Sequence, residues 1–145
     1  MTRWHKTSNK NKTVWLTGSA SGVGLHLTQV FIESGYQVIA TDINDARIHK
    51  AAMERQWSLD NLFIQKLNVS QKDSWVTVRD AALKRFDNID ILLNIAGYLK
   101  PGFIMETPLE ELDKHLEVNL KGVIYGCHTV GQKMLAQGFG HIINI

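Results

Sequence analysis

One cysteine, Cys127, stands among 145 residues, so no internal disulfide can staple this chain, and such usage fits a reducing compartment. Prolines are confined to Pro101 and Pro108, in and beside one loop. No apolar run approaches the roughly 20 residues that a membrane span needs, and the first residues lack the apolar centre of a signal peptide. The six histidines (His5, His26, His49, His115, His128, His141) show no metal-ligand spacing, so no metal is expected. Repeats, low-complexity tracts and interdomain linkers are also missing. An excess of one charge is absent too: 16 Lys and Arg against 14 Asp and Glu leave +2. The imbalance sits at the start, where Arg3, Lys6, Lys10 and Lys12 meet no acid. We expect a flexible basic arm over residues 1–12, then one domain over 13–145. With the arm read as solvated, one cysteine, and neither a span nor a signal peptide in the sequence, we expect no nucleic-acid partner, no membrane association and a cytoplasmic location.

What the chain does have is alternation. Strand-like runs at residues 13–17, 37–41, 62–67, 89–94 and 141–145 are separated by segments with helical spacing of apolar residues. Helices are predicted over about 21–34, 44–56, 71–86 and 108–136. Gly35 is placed just past the first of them, and Thr107-Pro108-Leu109-Glu110 reads as a capping box with proline at the first helical position. Strands alternating with helices give a doubly wound parallel sheet of Rossmann type, five strands covered on both faces. Trp15 is bulky for the first of these strands, and Cys127 reads as buried filler.

The first strand runs into Gly18, Gly22 and Gly24, which open the first helix. A pyrophosphate needs donors unobstructed by side chains, and such a loop supplies free backbone N–H groups at the positive end of a helix dipole. Asp42 ends the second strand, 20 residues beyond Gly22. A carboxylate there accepts hydrogen bonds from ribose hydroxyls and repels a 2′-phosphate. A P-loop would need Gly-Lys-Ser/Thr after its last glycine, where this chain has Gly24-Leu25-His26. A methyltransferase usually has an acid just before the first glycine, where Thr17 stands.

Thr17-Gly18-x-x-x-Gly22-x-Gly24 resembles the cofactor loop of the short-chain dehydrogenase/reductase family. Asn94-Ile95-Ala96-Gly97 is similar to that family's Asn-Asn-Ala-Gly segment, and Asn119-Leu120-Lys121-Gly122 to the Asn-x-x-Gly of its long helix. Gly140–Ile145 resembles the strand that delivers its catalytic serine. The resemblance implies hydride transfer between a nicotinamide and an alcohol or carbonyl of a small molecule. It assigns cofactor contacts to Gly18, Ser19, Ser21, Gly22, Val23 and Gly24, to Asp42 and Ile43, to Asn68 and Val69, and to Asn94, Ala96 and Gly97. Asn119 matches the asparagine of the catalytic tetrad. Ser21 and Asp42-Ile43 stand where NADP-preferring members carry basic residues, so NAD is expected over NADP.

Two residues depart from the pattern. Asn68 replaces an aspartate that faces the adenine amino group, and its amide carbonyl is expected to accept that hydrogen bond. Ile95 replaces the second asparagine. The family's serine and Tyr-x-x-x-Lys have no counterpart: four residues beyond Tyr36, Tyr98 and Tyr125 lie Ala40, Gly102 and Thr129. The resemblance therefore implies a C-terminally incomplete sheet, a chain inactive alone, and homo-oligomers of a longer form through the long helix. The alternatives are a dinucleotide-binding protein without turnover and an inactive gene fragment.

Overall fold

The strands and helices alternate as the apolar pattern predicts. β1 (Thr13–Thr17), α1 (Gly22–Glu33), β2 (Gln37–Asp42), α2 (Asp45–Glu54) and β3 (Leu62–Lys66) form one half. α3 (Lys72–Leu83), β4 (Ile91–Asn94), α4 (Leu109–Leu116), α5 (Gly122–Gln137) and β5 (His141–Asn144) follow. The computed structural model describes residues 11–145, so the basic arm lies outside the described residues except for its last two positions. All strand pairs are parallel, in the order β3-β2-β1-β4-β5.

Successive side chains of a strand point to opposite faces, and a parallel sheet buries both. Val14 and Leu16 of β1 therefore join Val38, Ala40 and Leu93 beneath α1 and α2, where Ile48, Ala51 and Ala52 close the layer. Trp15 points the other way and packs with Ile39, Leu92, Val78, Val130 and Met134 beneath α3 and α5. Its ring packs against Trp75, with ring centroids 5.3 Å apart, and Gly126 of α5 makes room for Trp75. A Cβ on Gly126 would lie 2.6 Å from the Trp75 ring. A buried indole N–H needs an acceptor, and Trp15 Nε1 donates to Thr41 Oγ1 at 3.0 Å.

The long helix differs from the sequence reading in two ways. Pro108 is the N-cap, with ψ 142, and the helix starts at Leu109 without a side-chain cap. Thr107 lies one residue before that N-cap, and its hydroxyl donates to Phe103 O at 2.9 Å, closing the preceding turn. The helix is also interrupted by a π turn at Glu117–Lys121, between α4 and α5. The expected Gly35 position holds, since the backbone there is left-handed with φ +80 immediately after the Ser34 C-cap. Cys127 is half-buried rather than core filler. Among the described residues no helix is long and apolar enough to cross a membrane.

Candidate functional site

In an open parallel sheet a crevice forms at the carboxyl ends of the strands where the winding direction reverses. Here that point lies between β1 and β4, because the chain winds outward through β2 and β3 before β4 pairs with β1 from the other side. A cavity of about 610 Å³ occupies it.

One wall is the glycine loop. Gly18 and Gly22 have φ of +70 and +51, a backbone conformation that a side chain would strain. Gly24 is required for a different reason, since a Cβ there would lie 2.0 Å from the Gly18 carbonyl oxygen. Ser21, the N-cap of α1, makes no side-chain cap. The first N–H groups of α1 are thus left to whatever enters the cavity, at the positive end of the helix dipole. Gly22 has nothing within 4 Å on the side where a Cβ would stand.

Hydrogen bonds hold this wall to the sheet. Thr17 Oγ1 accepts from the N–H groups of Ile95 (2.9 Å) and Ala96 (3.0 Å), locking the end of β1 to the end of β4. Asp42 is half-buried, and its two carboxylate oxygens accept from Ala20 N–H at 3.0 Å and Asn44 N–H at 2.9 Å. The carboxylate therefore ties the end of β2 to the glycine loop.

Of the residues singled out from sequence, Gly18, Ser21, Gly22, Val23, Gly24, Asp42, Ile43, Asn68, Val69, Ala96 and Gly97 line the cavity. Three do not. Ser19 is fully buried, its hydroxyl donating to Leu16 O at 3.2 Å and its N–H to Thr41 O at 3.0 Å. Asn94 is buried and donates to Asn144 Oδ1 at 2.8 Å, joining β4 to β5. Asn119 sits in the π turn, where its Oδ1 accepts from Tyr98 N–H at 2.7 Å and its Nδ2 donates to Tyr98 O at 2.8 Å. It grips the backbone of the loop that borders the cavity.

Asn68 corrects the expectation made for it. Its carbonyl is not open to a base, because Oδ1 already accepts from Ser70 N–H at 3.1 Å and Ser70 Oγ at 2.8 Å. A flipped amide would set its NH2 against the Ser70 N–H, so that backbone donor fixes the orientation.

Thr17, Tyr98 and Lys114 were not among the sequence candidates. Thr17 could have been found, since it immediately precedes Gly18 in the loop pattern. Tyr98 and Lys114 line the cavity, and Lys114 Nζ lies 4.1 Å over the Tyr98 ring. They are brought together only by the fold, so no sequence signal joins them. The Tyr98 hydroxyl donates to Glu111 Oε2, and Lys100 Nζ lies 3.0 Å from Glu111 Oε1. The hydrogen bond to Glu111 raises the tyrosine's pKa above 10.0, with burial and the carboxylate's charge adding to it. The same bond, with those from Lys100, lowers the Glu111 pKa below 4.5. Tyr98 is thus held protonated, the reverse of a phenol tuned to exchange a proton near neutral pH.

The chain matches the short chain dehydrogenase family over residues 12–145. It is 31% identical over 136 residues to an uncharacterized oxidoreductase of Staphylococcus saprophyticus, covering 94% of this chain and 54% of that protein. It is 32% identical over 135 residues to the 2-(R)-hydroxypropyl-CoM dehydrogenase of Xanthobacter autotrophicus, covering 90% and 54%. The apo form of LigO from a Sphingobium species has the same fold, with a TM-score of 0.87 at 28% identity over 93% of this chain and 51% of that one. The chain spans about half the length of the curated relatives it matches. With its five parallel strands and its glycine-walled crevice between β1 and β4, this chain belongs to the short chain dehydrogenase family of oxidoreductases.

Proposed function

We propose that this chain holds the dinucleotide of an NAD-dependent oxidoreductase that moves a hydride between the nicotinamide and an alcohol or carbonyl carbon of a small molecule. One observation carries the reading: a single cavity is lined by both the N-terminus of α1 and the carboxylate of Asp42. A dinucleotide has the complementary parts. Its pyrophosphate suits the backbone N–H groups at Gly22, Val23 and Gly24, which no side chain of Ser21 occupies. Its adenosine ribose suits Asp42, whose oxygens keep lone pairs beyond those given to Ala20 and Asn44. The same charge disfavours a 2′-phosphate, which gives NAD the advantage over NADP.

When bound, the nicotinamide supplies or takes up the hydride. The residues of this chain bind, orient and exclude water. Ala96 and Gly97 line the cavity near the end of β4 without a bulky side chain. Asn119 positions the Tyr98 backbone, so the border of that end stays fixed. We further propose that the working protein is a homo-oligomer joined through the outer face of the long helix, where Leu116, Leu120 and Ile124 are exposed.

Calorimetric titration of the protein with NAD and NADP tests the reading. NAD is expected to bind more tightly by about tenfold or more, the effect of setting a phosphate against a carboxylate. Asp42→Ala is expected to narrow that gap. Saturation by neither dinucleotide, or tighter binding of NADP, would contradict it.

A further inference from the structure

We propose that the base end of this cavity does not select for an exocyclic amino group, because Asn68 presents a hydrogen-bond donor there. A dinucleotide carrying hypoxanthine in place of adenine is then accepted about as well as NAD. The inference rests on the dinucleotide reading above and concerns which base that site reads.

With the ribose at Asp42, the base lies against the next lining residues, Ile43, Asn68 and Val69. Ile43 and Val69 offer apolar surface. Thr41 also lines this end, but its hydroxyl is committed to Trp15 and Leu16. Asn68 is half-buried, and its carboxamide is the polar side chain left to read a base edge.

The two ends of that carboxamide are not equivalent. Oδ1 has two lone pairs, and Ser70 uses both, through its N–H at 3.1 Å and its Oγ at 2.8 Å. The N–H is a backbone group that cannot turn round, so the amide cannot flip without placing donor against donor. What remains is the NH2, which makes no hydrogen bond among the described residues. Adenine carries an amino donor at C6, which the NH2 cannot accept; the NH2 can meet only a ring nitrogen beside it, so the amino group itself is not read. Hypoxanthine carries a carbonyl at C6, an acceptor that the NH2 can meet, with an N1–H donor in place of the N1 acceptor of adenine, so the two bases offer the NH2 comparable partners. An aspartate at this position would behave differently. One oxygen would keep the Ser70 contacts and the other would accept from an adenine amino group.

The test is calorimetric titration of the protein with NAD and with nicotinamide hypoxanthine dinucleotide, repeated on Asn68→Asp and Asn68→Ala. The native protein is expected to bind the hypoxanthine form within about threefold of NAD or more tightly, since neutral hydrogen bonds exchange at small net gain. Asn68→Asp is expected to shift the ratio toward NAD by about tenfold, the scale of one hydrogen bond to a charged acceptor. Asn68→Ala is expected to shift it the same way by removing the donor, without tightening NAD. The alanine variant keeps the test open if the aspartate disturbs the turn to Ser70. A native preference for NAD above about threefold, or a ratio unmoved in both variants, overturns this inference and leaves the proposed function standing. Failure of both dinucleotides to bind overturns the two together.

Discussion

Replacing Gly24 by alanine separates a steric requirement from a conformational one. The new Cβ would lie 2.0 Å from the Gly18 carbonyl oxygen, where ordinary contact begins at 3.4 Å. Neither side can retreat freely. Gly18 is backed by the Ala96 backbone, with only 3.0 Å between Ala96 and the place a Cβ would take. Gly24 is held in the first turn of α1, where its carbonyl accepts from the buried Thr28 hydroxyl at 2.8 Å. Overpacking of a site with no give costs about 1–3 kcal/mol, and the blocked retreat places this one at ~2–3 kcal/mol. In a chain of this length that lowers the melting temperature by roughly 5–10 °C. Because the clash also moves the N–H groups at the start of α1, NAD affinity is expected to fall by up to about 100-fold, the effect of an ångström of misplacement. Gly22→Ala is the control. It meets nothing within 4 Å, so only its φ of +51 is penalised, by about 1–2 kcal/mol. Thermal melts and NAD titrations of both variants check this. A Gly24→Ala protein that melts within about 1 °C of the native form and binds NAD unchanged would refute the argument.

Trp15→Phe removes the indole donor to Thr41 and part of the ring against Trp75, and is expected to cost about 1–3 kcal/mol in urea denaturation. The Tyr98 phenol is expected to titrate above 10.0 because ionisation would set it beside the Glu111 carboxylate. The contact thus stabilises the fold at neutral pH and is lost as pH rises through that folded-state pKa. Ultraviolet titration reads it, and Glu111→Gln should bring the phenol back toward 10.0. At the acid end the lowered Glu111 pKa means that its contribution persists above 4.5 and disappears as pH falls through the folded value. Asn119→Ala removes both bonds to the Tyr98 backbone. Faster amide exchange confined to residues near 98 is expected, with β1 and β4 unchanged.

The strands were legible because each is an apolar run bounded by polar or glycine positions, and the glycine loop because φ and close approach leave no alternative at Gly18 and Gly24. Asp42 was legible from its fixed distance beyond Gly22. The π turn was not, because Glu117–Lys121 has no residue that forbids an ordinary α turn. Thr107 was misread because a capping box and a closed turn share the same residue types at the same spacing, and here the helix begins one residue later, with Pro108 at the N-cap and the Thr107 hydroxyl donated to Phe103 O. The direction of the Asn68 amide was not legible because it is set by a local turn to Ser70, two residues on, through a backbone group that every sequence has. Trp15 looked out of place until Trp75 and Thr41 were seen around it.

The central claim, that the crevice between β1 and β4 holds a dinucleotide by its pyrophosphate and ribose, is tested most directly by amide chemical-shift mapping during NAD titration. The amides of Gly22, Val23 and Gly24, with those of Ile43 and Val69, are expected to shift together and saturate with one dissociation constant. Saturating shifts elsewhere with these amides unmoved, or no saturable shift at all, would contradict the account.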